Sequence, residues 1–418
     1  MSESMLSVSQ WKERCRNDGE FKLASRYFDG GIRFNIGDTL MALYFENGQL
    51  TDTPADEQTV IEYSGDAAVW EKMAAEVPER FHNDLMGAMM TGTGISRSGD
   101  PLLHSQYFGA AMRALELLRP LSPRGETAAH DARPHGTFDA PTGRYVHLEL
   151  GGCMHRIYFE EAGQGIPILL QHTAGAHGSQ WRHLFEMPEI TSRFRLIAYD
   201  LPYHGKSIPP VSQDWWTEPY ELKGEFLRSI PVALAETLGL ERPVFMGCSV
   251  GGLLALDLAH KHPDVFRAVI SVEGALKIEG DTSDFSTFYH PKVSNEYKAR
   301  MMDGLMSPTS PVPYRRETTY VYASGWPPVF IGDLHYYVAD YDLRACAGEI
   351  DTTQVGVHIL SGEYDTSGRS EFGKVAADAI SGATWSEMKG VGHFPMSENP
   401  MVFAKYLAPL LDEIARQT

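Results

Sequence analysis

The sequence predicts a doubly wound α/β domain preceded by a smaller α+β domain. The chain has 418 residues, more than one hydrophobic core usually encloses, so two domains are expected. From residue 145 to residue 418, short apolar runs alternate with helical patterns, which is typical of a buried parallel sheet. Residues 119–144 are rich in proline, glycine and charge and lack apolar periodicity. We therefore place the first domain at 1–118, a linker at 119–144 and the second domain at 145–418.

The first predicted domain combines strand-like and helical segments. Residues 30–50 alternate apolar and polar side chains around Asn47-Gly48, a pair typical of a tight hairpin turn. Residues 59–65 predict another strand, and the pattern of residues 66–92 indicates a helix. No catalytic constellation is evident in this domain, so we expect the chemistry to lie after the linker.

The second predicted domain contains short apolar runs that each end in a polar turn. Runs of this length suit parallel strands that are buried on both faces. A helical pattern from Gly251 to His260 lies between two of them and is expected to stop near Pro263. The predicted strands are YVHLEL (145–150), MHRIYFEE (154–161), IPILLQH (166–172), FRLIAYD (194–200), PVFMGCS (243–249), RAVISVE (267–273) and VGVHILSG (355–362).

The charge and the cysteine content limit which binding partners and which cellular compartment are expected. The formal net charge is −19 and there is no lysine or arginine run, so nucleic acid and an anionic membrane are poor candidates. The four cysteines lack C-x-x-C spacing, which indicates neither a disulfide framework nor a zinc site. The first residues lack the apolar stretch of a signal peptide, and no apolar run is long enough to span a membrane. We expect a cytoplasmic protein with reduced cysteines.

A G-x-S-x-G sequence, Gly247-Cys248-Ser249-Val250-Gly251, stands between a predicted strand and a predicted helix. A sharp strand-to-helix turn would hold Ser249 in a strained conformation, where small neighbours avoid backbone clashes. The helix would point its N-terminus at Ser249, and N–H groups there can stabilise negative charge. This context predicts a nucleophilic serine.

A serine hydroxyl is a weak nucleophile, so it needs a base and an acid that orients the base. His393 lies in a glycine-flanked loop before the last predicted helix, and Asp365 ends a predicted strand-turn. We predict His393 as the base and Asp365 as the acid. Glu363 and Glu273 compete for the role of the acid, since Glu273 follows the next strand after the serine turn.

Residues 145–418 resemble the α/β-hydrolase superfamily, in which nucleophile, acid and histidine follow in this order. The segment LLQHTAGAHGSQWR resembles the superfamily's oxyanion loop, where the residue after His-Gly donates its N–H. The resemblance implies Ala174 as the first donor and Val250 as the second. Thr173 stands where glycine is usual, which leaves the first donor open between Ala174 and Gly175. In AYDLPYHGKS, the resemblance implies mainly structural roles for the aspartate and the histidine.

A cap is expected at about 275–345, where this superfamily commonly carries an insertion. The segment is rich in aromatic residues, and caps form the roof of the pocket and set substrate choice. An aromatic substrate, or one with a hydrophobic acyl group, would suit it. The same aromatic side chains would equally serve to pack the cap itself.

These features predict a serine hydrolase that acts on a carboxylic ester of a small molecule without metal or organic cofactor. A carbon–carbon bond hydrolase of a vinylogous diketone and a thioesterase share the same residues and remain alternatives. A non-catalytic binding protein on a hydrolase scaffold is a further alternative, against which the combination of serine, acid and histidine argues.

The first domain resembles the sterol carrier protein fold in FDGGIRFNIGDTLMALYFENGQL and in SGDPLLHSQYF. The resemblance implies that it shields the active site, binds an apolar molecule or mediates association. A homo-oligomer is therefore possible.

Overall fold

We describe the protein from a computed structural model that covers residues 6–120 and 134–416, without the side chains of residues 282–284. Residues 121–133, the greater part of the predicted linker, lie outside the described residues. The described residues form two compact units. The first unit contains residues 6–120 and 290–309, and the second contains residues 134–289 and 310–416.

The first unit is built on a five-stranded sheet in the order β3-β2-β1-β4-β5. Its strands are β1 (Gly30–Ile36), β2 (Thr39–Glu46), β3 (Gln49–Thr51), β4 (Val60–Gly65) and β5 (Ser96–Ser98). Only β1 and β4 pair in parallel, and the other neighbours are antiparallel. The predicted hairpin turn is confirmed, since Asn47 and Gly48 both have positive φ (49° and 73°) between β2 and β3.

The helices of the first unit pack against the sheet and against one another. They are Val8–Asn17, Gly19–Ser25, Ala67–Met73, Leu85–Met90, Pro101–Glu116 and Asn295–Gly304. Large aromatic rings fill the core of this unit: the Phe34 ring lies with its centroid 5.5 Å from that of Trp11 and 5.0 Å from that of Trp70. All three side chains are fully buried.

The segment predicted as one helix over residues 66–92 forms two short helices instead. Ala67–Met73 ends before Pro78, which cannot donate the hydrogen bond that a continuing helix requires. The second helix restarts at Leu85–Met90, where the Asp84 carboxylate accepts the N–H of Gly87 at 2.7 Å. The apolar pattern of the sequence persists across this break, so periodicity alone did not locate it.

Residues 290–309 belong to the first unit although they fall within the predicted cap. The helix Asn295–Gly304 packs against Pro101–Glu116, and the ring of Tyr297 meets that of Phe108 edge-on at 5.8 Å between centroids. The predicted domain boundaries did not include this exchange of a segment. A helical pattern identifies a buried face but not the unit against which that face packs.

The second unit contains an eight-stranded sheet in the order β13-β12-β11-β10-β8-β9-β7-β6. The strands are β6 (Thr142–Leu150), β7 (Cys153–Gly163), β8 (Ile166–Gln171), β9 (Phe194–Tyr199), β10 (Val244–Cys248), β11 (Ala268–Val272), β12 (Gly356–Gly362) and β13 (Thr384–Met388). The strands from β13 to β9 are parallel, and β7 and β6 extend the sheet in antiparallel fashion. The predicted doubly wound α/β sheet is confirmed. Sequence reasoning did not locate β13, an edge strand whose side chains are mostly partly exposed.

Helices flank this sheet and supply its remaining core. They are Arg182–Phe185, Pro188–Thr191, Gly224–Thr237, Val250–Lys261, Ser370–Ala379, Pro395–Glu398 and Pro400–Arg416. The helix Val250–Lys261 has ten buried residues and packs against the central strands β10 and β11. The turn between β10 and this helix is therefore held by buried elements on both sides.

The remaining part of the predicted cap lies within the second unit. It includes the 3-10 helix Thr282–Phe288, the helices Val312–Ser324 and Pro327–Leu334 and a π-helical turn, His335–Asp340. Among the described residues, no helix of the chain combines the length and the apolar character that crossing a membrane requires.

Candidate active site

Ser249 occupies a strained turn between β10 and the helix Val250–Lys261. Its backbone has φ 59° and ψ −114°, a left-handed conformation that is costly for a residue with a side chain. The N–H of Ser249 donates to the carbonyl of Val272 at 2.9 Å, which ties the turn to the neighbouring strand. The side chain stands at the N-terminus of the helix and Ser249 is 5% exposed.

Glycines allow this turn to pack tightly. A Cβ on Gly247 would lie 2.4 Å from the carbonyl oxygen of Gly251, and one on Gly252 would lie 2.2 Å from that of Val272. Both contacts are with backbone atoms, which cannot give way as a flexible side chain can. Gly252, outside the predicted motif, is therefore as tightly constrained as Gly247.

His393 and Asp365 are joined by a short hydrogen bond. The His393 Nδ1 lies 2.5 Å from Asp365 Oδ2, and both side chains are buried. The N–H of Ser367 donates to the other carboxylate oxygen, Oδ1, at 2.7 Å. Burial acts to raise the pKa of Asp365, but the interaction with His393 and these hydrogen bonds lower it. The sequence-predicted acid and base are thus brought together.

The loop that carries His393 is held from two sides. The Cys248 thiol donates to the backbone carbonyl of His393 at 3.2 Å, so the histidine lies beside the residue that precedes Ser249. The Glu398 carboxylate accepts the N–H groups of Gly392 and Phe394, each at 3.0 Å. Glu398 therefore clamps the loop on both sides of the histidine, a contact that sequence reasoning did not predict.

The two competing carboxylates point elsewhere. Glu363 accepts hydrogen bonds from Lys389 Nζ at 3.1 Å and from the N–H of Gly390 at 3.0 Å, so it caps a turn. Glu273 hydrogen-bonds with the side chain of Asp365. Among the described hydrogen bonds, Asp365 is the carboxylate that contacts the His393 ring.

In the loop after β8, one N–H group has no acceptor among the described residues and the next one is used internally. The N–H of Gly175 donates to Asp333 Oδ2 at 2.7 Å. No described residue accepts the N–H of Ala174 or that of Val250, the first residue of its helix. Between the two alternatives left by the sequence, Ala174 is therefore the one whose N–H is available.

Thr173, which replaces the usual glycine, fastens this loop to the cap. Its hydroxyl hydrogen-bonds with the hydroxyl of Tyr322 on the helix Val312–Ser324. Its hydroxyl and its N–H also both donate to Gln180 Oε1 at 3.1 Å.

Asp200 and His204 stabilise the loop after β8 and its surroundings through hydrogen bonds. Asp200 accepts the N–H groups of Gly178 and Lys206, both at 2.7 Å. His204 Nε2 lies 2.8 Å from Asp333 Oδ2. Burial acts to lower the pKa of His204, but the adjacent Asp333 carboxylate raises it.

Comparison with known proteins agrees with this architecture. The family model of the alpha/beta hydrolase fold matches residues 166–326. An esterase from Thermogutta terrifontis superposes with a TM-score of 0.56 at 19% identity, over 65% of this chain and 99% of that one. The enol-lactonase from Burkholderia xenovorans LB400 superposes with a TM-score of 0.53 at 22% identity, over 64% and 100%.

The second unit, here called the hydrolase domain, has the alpha/beta hydrolase fold.

Curated relatives of the hydrolase domain include several esterases. A pimeloyl-(acyl-carrier protein) methyl ester esterase from Methylococcus capsulatus is 33% identical over 26% of this chain and 36% of its own length. The matched part thus spans about a third of that protein. The Chromobacterium violaceum protein with the same name is 24% identical over 61% of this chain and 98% of its own length. A 2-hydroxy-6-oxononadienedioate/2-hydroxy-6-oxononatrienedioate hydrolase from Paraburkholderia phymatum is 29% identical over 32% and 46%.

None of these comparisons tests the resemblance of the first unit to the sterol carrier protein fold, which stays a prediction.

Tyr337 lies near Ser249 and was missed by sequence reasoning. It belongs to the π-helical turn His335–Asp340, a geometry that often marks functional sites. Burial raises the pKa of Tyr337, with Ser249 among the groups that act on it, and the Tyr337 hydroxyl lies 3.1 Å from that of Ser367. The aromatic-rich cap was the available signal, but nothing in the pattern distinguished this tyrosine from its neighbours.

A cleft of about 420 Å³ in the hydrolase domain lies beside residues 177–179, and Ser249 is not among its lining residues. Tyr203, Trp215 and Trp326 line it, with the two tryptophan rings meeting edge-on at 5.2 Å. Among the described residues, no group of three or more histidine, cysteine or acidic side chains is placed to hold a metal ion.

Proposed function

We propose that the protein is a serine hydrolase that cleaves a carboxylic ester of a hydrophobic or aromatic small molecule through an acyl-enzyme. The observation that carries the proposal is the Nδ1–Oδ2 hydrogen bond between His393 and Asp365, beside a serine held at φ 59°. A solvated loop histidine has no need of a buried carboxylate partner, whereas a general base does. No metal or organic cofactor takes part in this mechanism.

In the first half of the proposed reaction, Ser249 Oγ attacks the acyl carbon and gives its proton to His393 Nε2. Asp365 holds the imidazole with its proton on Nδ1 and offsets the positive charge that forms. The tetrahedral intermediate then collapses, the bond to the alcohol oxygen breaks, and that oxygen takes the proton from Nε2. The acyl group remains on Ser249.

In the second half, water attacks the acyl carbon and gives a proton to His393. Collapse of this intermediate releases the carboxylic acid and returns the proton to Ser249. Both intermediates carry an oxyanion, for which the N–H groups of Ala174 and Val250 are the donors. Loss of one such donor typically costs about 10²–10³ in rate, so their availability matters as much as the base.

The proposed substrate class follows from the aromatic character of the cap. The rings of Tyr322 and Phe330 lie with their centroids 6.3 Å apart, and these side chains and that of Tyr337 are buried. Aromatic side chains of this kind favour an apolar or aromatic acyl or alcohol group over a charged one. The similarity to methyl ester esterases supports ester cleavage in general.

The test uses a fluorophosphonate, which phosphonylates an activated serine, and a panel of p-nitrophenyl esters. Purified wild-type protein is expected to take up one phosphonyl group and to hydrolyse the esters, whereas Ser249→Ala should do neither. Ser229→Ala, on the partly exposed face of the helix Gly224–Thr237, is the matched control and should behave as wild type. Undiminished ester turnover by Ser249→Ala would refute the proposal.

Carbon–carbon bond hydrolysis of a vinylogous diketone is the second candidate, favoured by the Paraburkholderia phymatum relative. The two candidates share Ser249 and His393 and differ in the leaving group, which is a carbon acid instead of an alcohol. Parallel kinetics on p-nitrophenyl esters, thioesters and a 2-hydroxy-6-oxo-dienoate separate them. A kcat/KM for the dienoate far above that for every ester would replace ester cleavage with carbon–carbon cleavage.

A further inference from the structure

Glu273 is a buried acid whose backbone is strained in the same way as that of Ser249. It follows β11 directly, is completely inaccessible to solvent, and has a φ of 54°. Its N–H donates to the carbonyl of Leu360 at 2.9 Å, which locks the residue to the next strand, β12. A non-glycine residue with a φ in this range costs free energy. The surrounding structure therefore holds Glu273 in a strained backbone conformation.

The Glu273 carboxyl group lies against Asp365. The two side chains share a hydrogen bond, and the N–H of Gly362 lies 2.7 Å from Glu273 Oε1 and 2.9 Å from Oε2. Glycine is required at position 362 for this approach, because a Cβ there would lie 2.2 Å from the carbonyl oxygen of Gly392. Two carboxyl groups share a hydrogen bond only when one of them carries a proton.

The hydrogen-bond donors around Glu273 and Asp365 indicate that the shared proton is on Glu273. Asp365 receives the His393 ring N–H on Oδ2 and the Ser367 N–H on Oδ1, so both of its oxygens are already acceptors. Glu273 has a single N–H, that of Gly362, which its two oxygens share. Because one donor serves two oxygens of Glu273 while each oxygen of Asp365 has a donor of its own, Glu273 is the carboxyl group that can carry the proton without losing a partner.

We propose that Glu273 is a positioning residue that, as a neutral carboxyl group, donates a hydrogen bond to Asp365 and so fixes this carboxylate against His393. The inference rests on the proposed function, since it assigns Asp365 to the histidine of a serine hydrolase. Glu273 would act only through Asp365 and would not touch the substrate.

The electrostatic surroundings agree with a neutral Glu273. Burial, followed by the charge of Asp365 and that of Glu398, raises the pKa of Glu273 well above its usual value. The titratable groups that interact with it are Asp365, Glu398 and Cys248, none of which offers a positive charge. The imidazole of His393 is bound to Asp365 through its Nδ1.

The alternative is an ionised Glu273 that helps Asp365 to stabilise the imidazolium, and the two cases shift the pH profile in opposite directions. The acid limb of the pH–rate profile reports the deprotonation of the essential base in the free enzyme. If Glu273 is neutral, removing its hydrogen bond concentrates negative charge on Asp365, which favours the protonated form of the base and moves the limb to higher pH. If Glu273 is ionised, removing its negative charge disfavours that form and moves the limb to lower pH.

The experiment measures the second-order rate constant for labelling of the full chain by a fluorophosphonate between pH 4 and pH 9. Glu273→Gln keeps the shape and a hydrogen-bond donor, whereas Glu273→Leu keeps approximate size and loses the donor. Glu363→Gln, which removes the other competing carboxylate, is the matched control. Circular dichroism and thermal melting establish that each variant is folded.

We expect Glu273→Leu to label about tenfold to a hundredfold more slowly, the effect of losing a hydrogen bond to a charged group, with its acid limb at higher pH. Glu273→Gln should recover most of that rate and keep the wild-type limb, as should Glu363→Gln. A limb that moves to lower pH in Glu273→Gln would overturn the proposal, because loss of a neighbouring negative charge moves it in that direction. Equal rates and limbs in all four proteins would also overturn it.

If the proposed function is wrong, the labelling experiment gives a different result. In that case wild-type protein is not labelled, or Ser249→Ala is labelled as fast as wild type. If Glu273→Leu does not fold, the pH limb of Glu273→Gln alone decides between a neutral and an ionised Glu273.

Discussion

The packing around Ser249 makes Gly252 a sensitive position at the scale of single residues. A Cβ at this position would lie 2.2 Å from the carbonyl oxygen of Val272, so β11 and the helix Val250–Lys261 would have to separate. We expect Gly252→Ala to lower the free energy of unfolding by about 2 kcal/mol or more, as overpacking of a core typically does, and to slow fluorophosphonate labelling. Chemical denaturation measures the first effect.

Gly348→Ala is the control for this substitution, since the nearest atom to its new Cβ would be 4.0 Å away and the residue is exposed. It should change stability by less than about 0.5 kcal/mol. Equal destabilisation by the two substitutions would show that position 252 is not constrained by the close approach of the backbone at the turn that carries Ser249.

The hydrogen bond between His393 and Asp365 predicts a ranking among the three acids of this region. Asp365→Asn replaces an acceptor with an amide, which disfavours the tautomer of His393 that carries its proton on Nδ1. We expect this substitution to lower kcat for p-nitrophenyl esters by about three to four orders of magnitude, far more than Glu273→Gln or Glu363→Gln. Steady-state kinetics of the three variants is the measurement, and the reverse order for Asp365 and Glu273 would contradict the assignment of the acid.

Some of these residues could be predicted from the sequence, and others could not. Ser249, Asp365 and His393 each follow a strand or stand in a glycine-flanked loop, so local pattern and chain order were enough. The proximity of Tyr337 to Ser249 depends on how the cap folds over the sheet. The pairing of Glu273 with Asp365 depends on the packing of adjacent strand ends. Neither arrangement leaves a periodic signal in the chain.

At the scale of elements, an ion pair attaches the cap helix Val312–Ser324 to the helix Arg182–Phe185. The Arg182 guanidinium donates to both oxygens of Glu317, each at 2.6 Å. Burial alone would raise the pKa of Glu317, but the hydrogen bonds from His183 and Arg182 lower it to about 2. The cap therefore has a charged anchor at this end.

We predict that Glu317→Gln lowers the free energy of unfolding by about 1 kcal/mol near pH 7, since Arg182 is partly exposed and solvent screens the pair. A carboxylate with a depressed pKa stabilises the fold above its unfolded pKa, and the stabilisation is lost as the pH falls toward about 2. The difference between wild type and variant in urea denaturation should therefore shrink steadily below pH 4.5, the ordinary value for glutamate. A difference that grows on acidification would contradict this.

The elements of the sheet were largely predictable, because continuous apolar runs identify buried parallel strands. The helix Asn295–Gly304 was harder, since its pattern fits a cap as well as the core of the first unit. The break at Pro78 shows the same limit, because an apolar pattern can continue across a turn that proline enforces.

At the scale of the whole molecule, the exchange of residues 290–309 changes what a truncated chain should do. A chain that begins near residue 140 keeps Ser249, Asp365 and His393 but carries 290–309 without the rest of the first unit. We predict that it is labelled at Ser249 by a fluorophosphonate and that it aggregates, because apolar side chains of this segment lose their cover. Light scattering and intact-mass measurement follow the two properties.

Substitution of the apolar face in that truncated chain provides the control. Tyr297→Ser with Met302→Ser removes two side chains that are buried in the full protein and should reduce aggregation without changing the extent of labelling. A truncated chain that is folded and soluble but is not labelled would show instead that the first unit contributes to the active site.

The central claim is that Ser249 carries the acyl group during turnover. The most direct measurement is to quench the full-length protein with acid during hydrolysis of p-nitrophenyl acetate and to locate the acetyl group by peptide mass spectrometry. The account predicts an acetyl group on Ser249 in wild type and none at this position in Ser249→Ala. Acetylation at another residue with unmodified Ser249 during full turnover would contradict it.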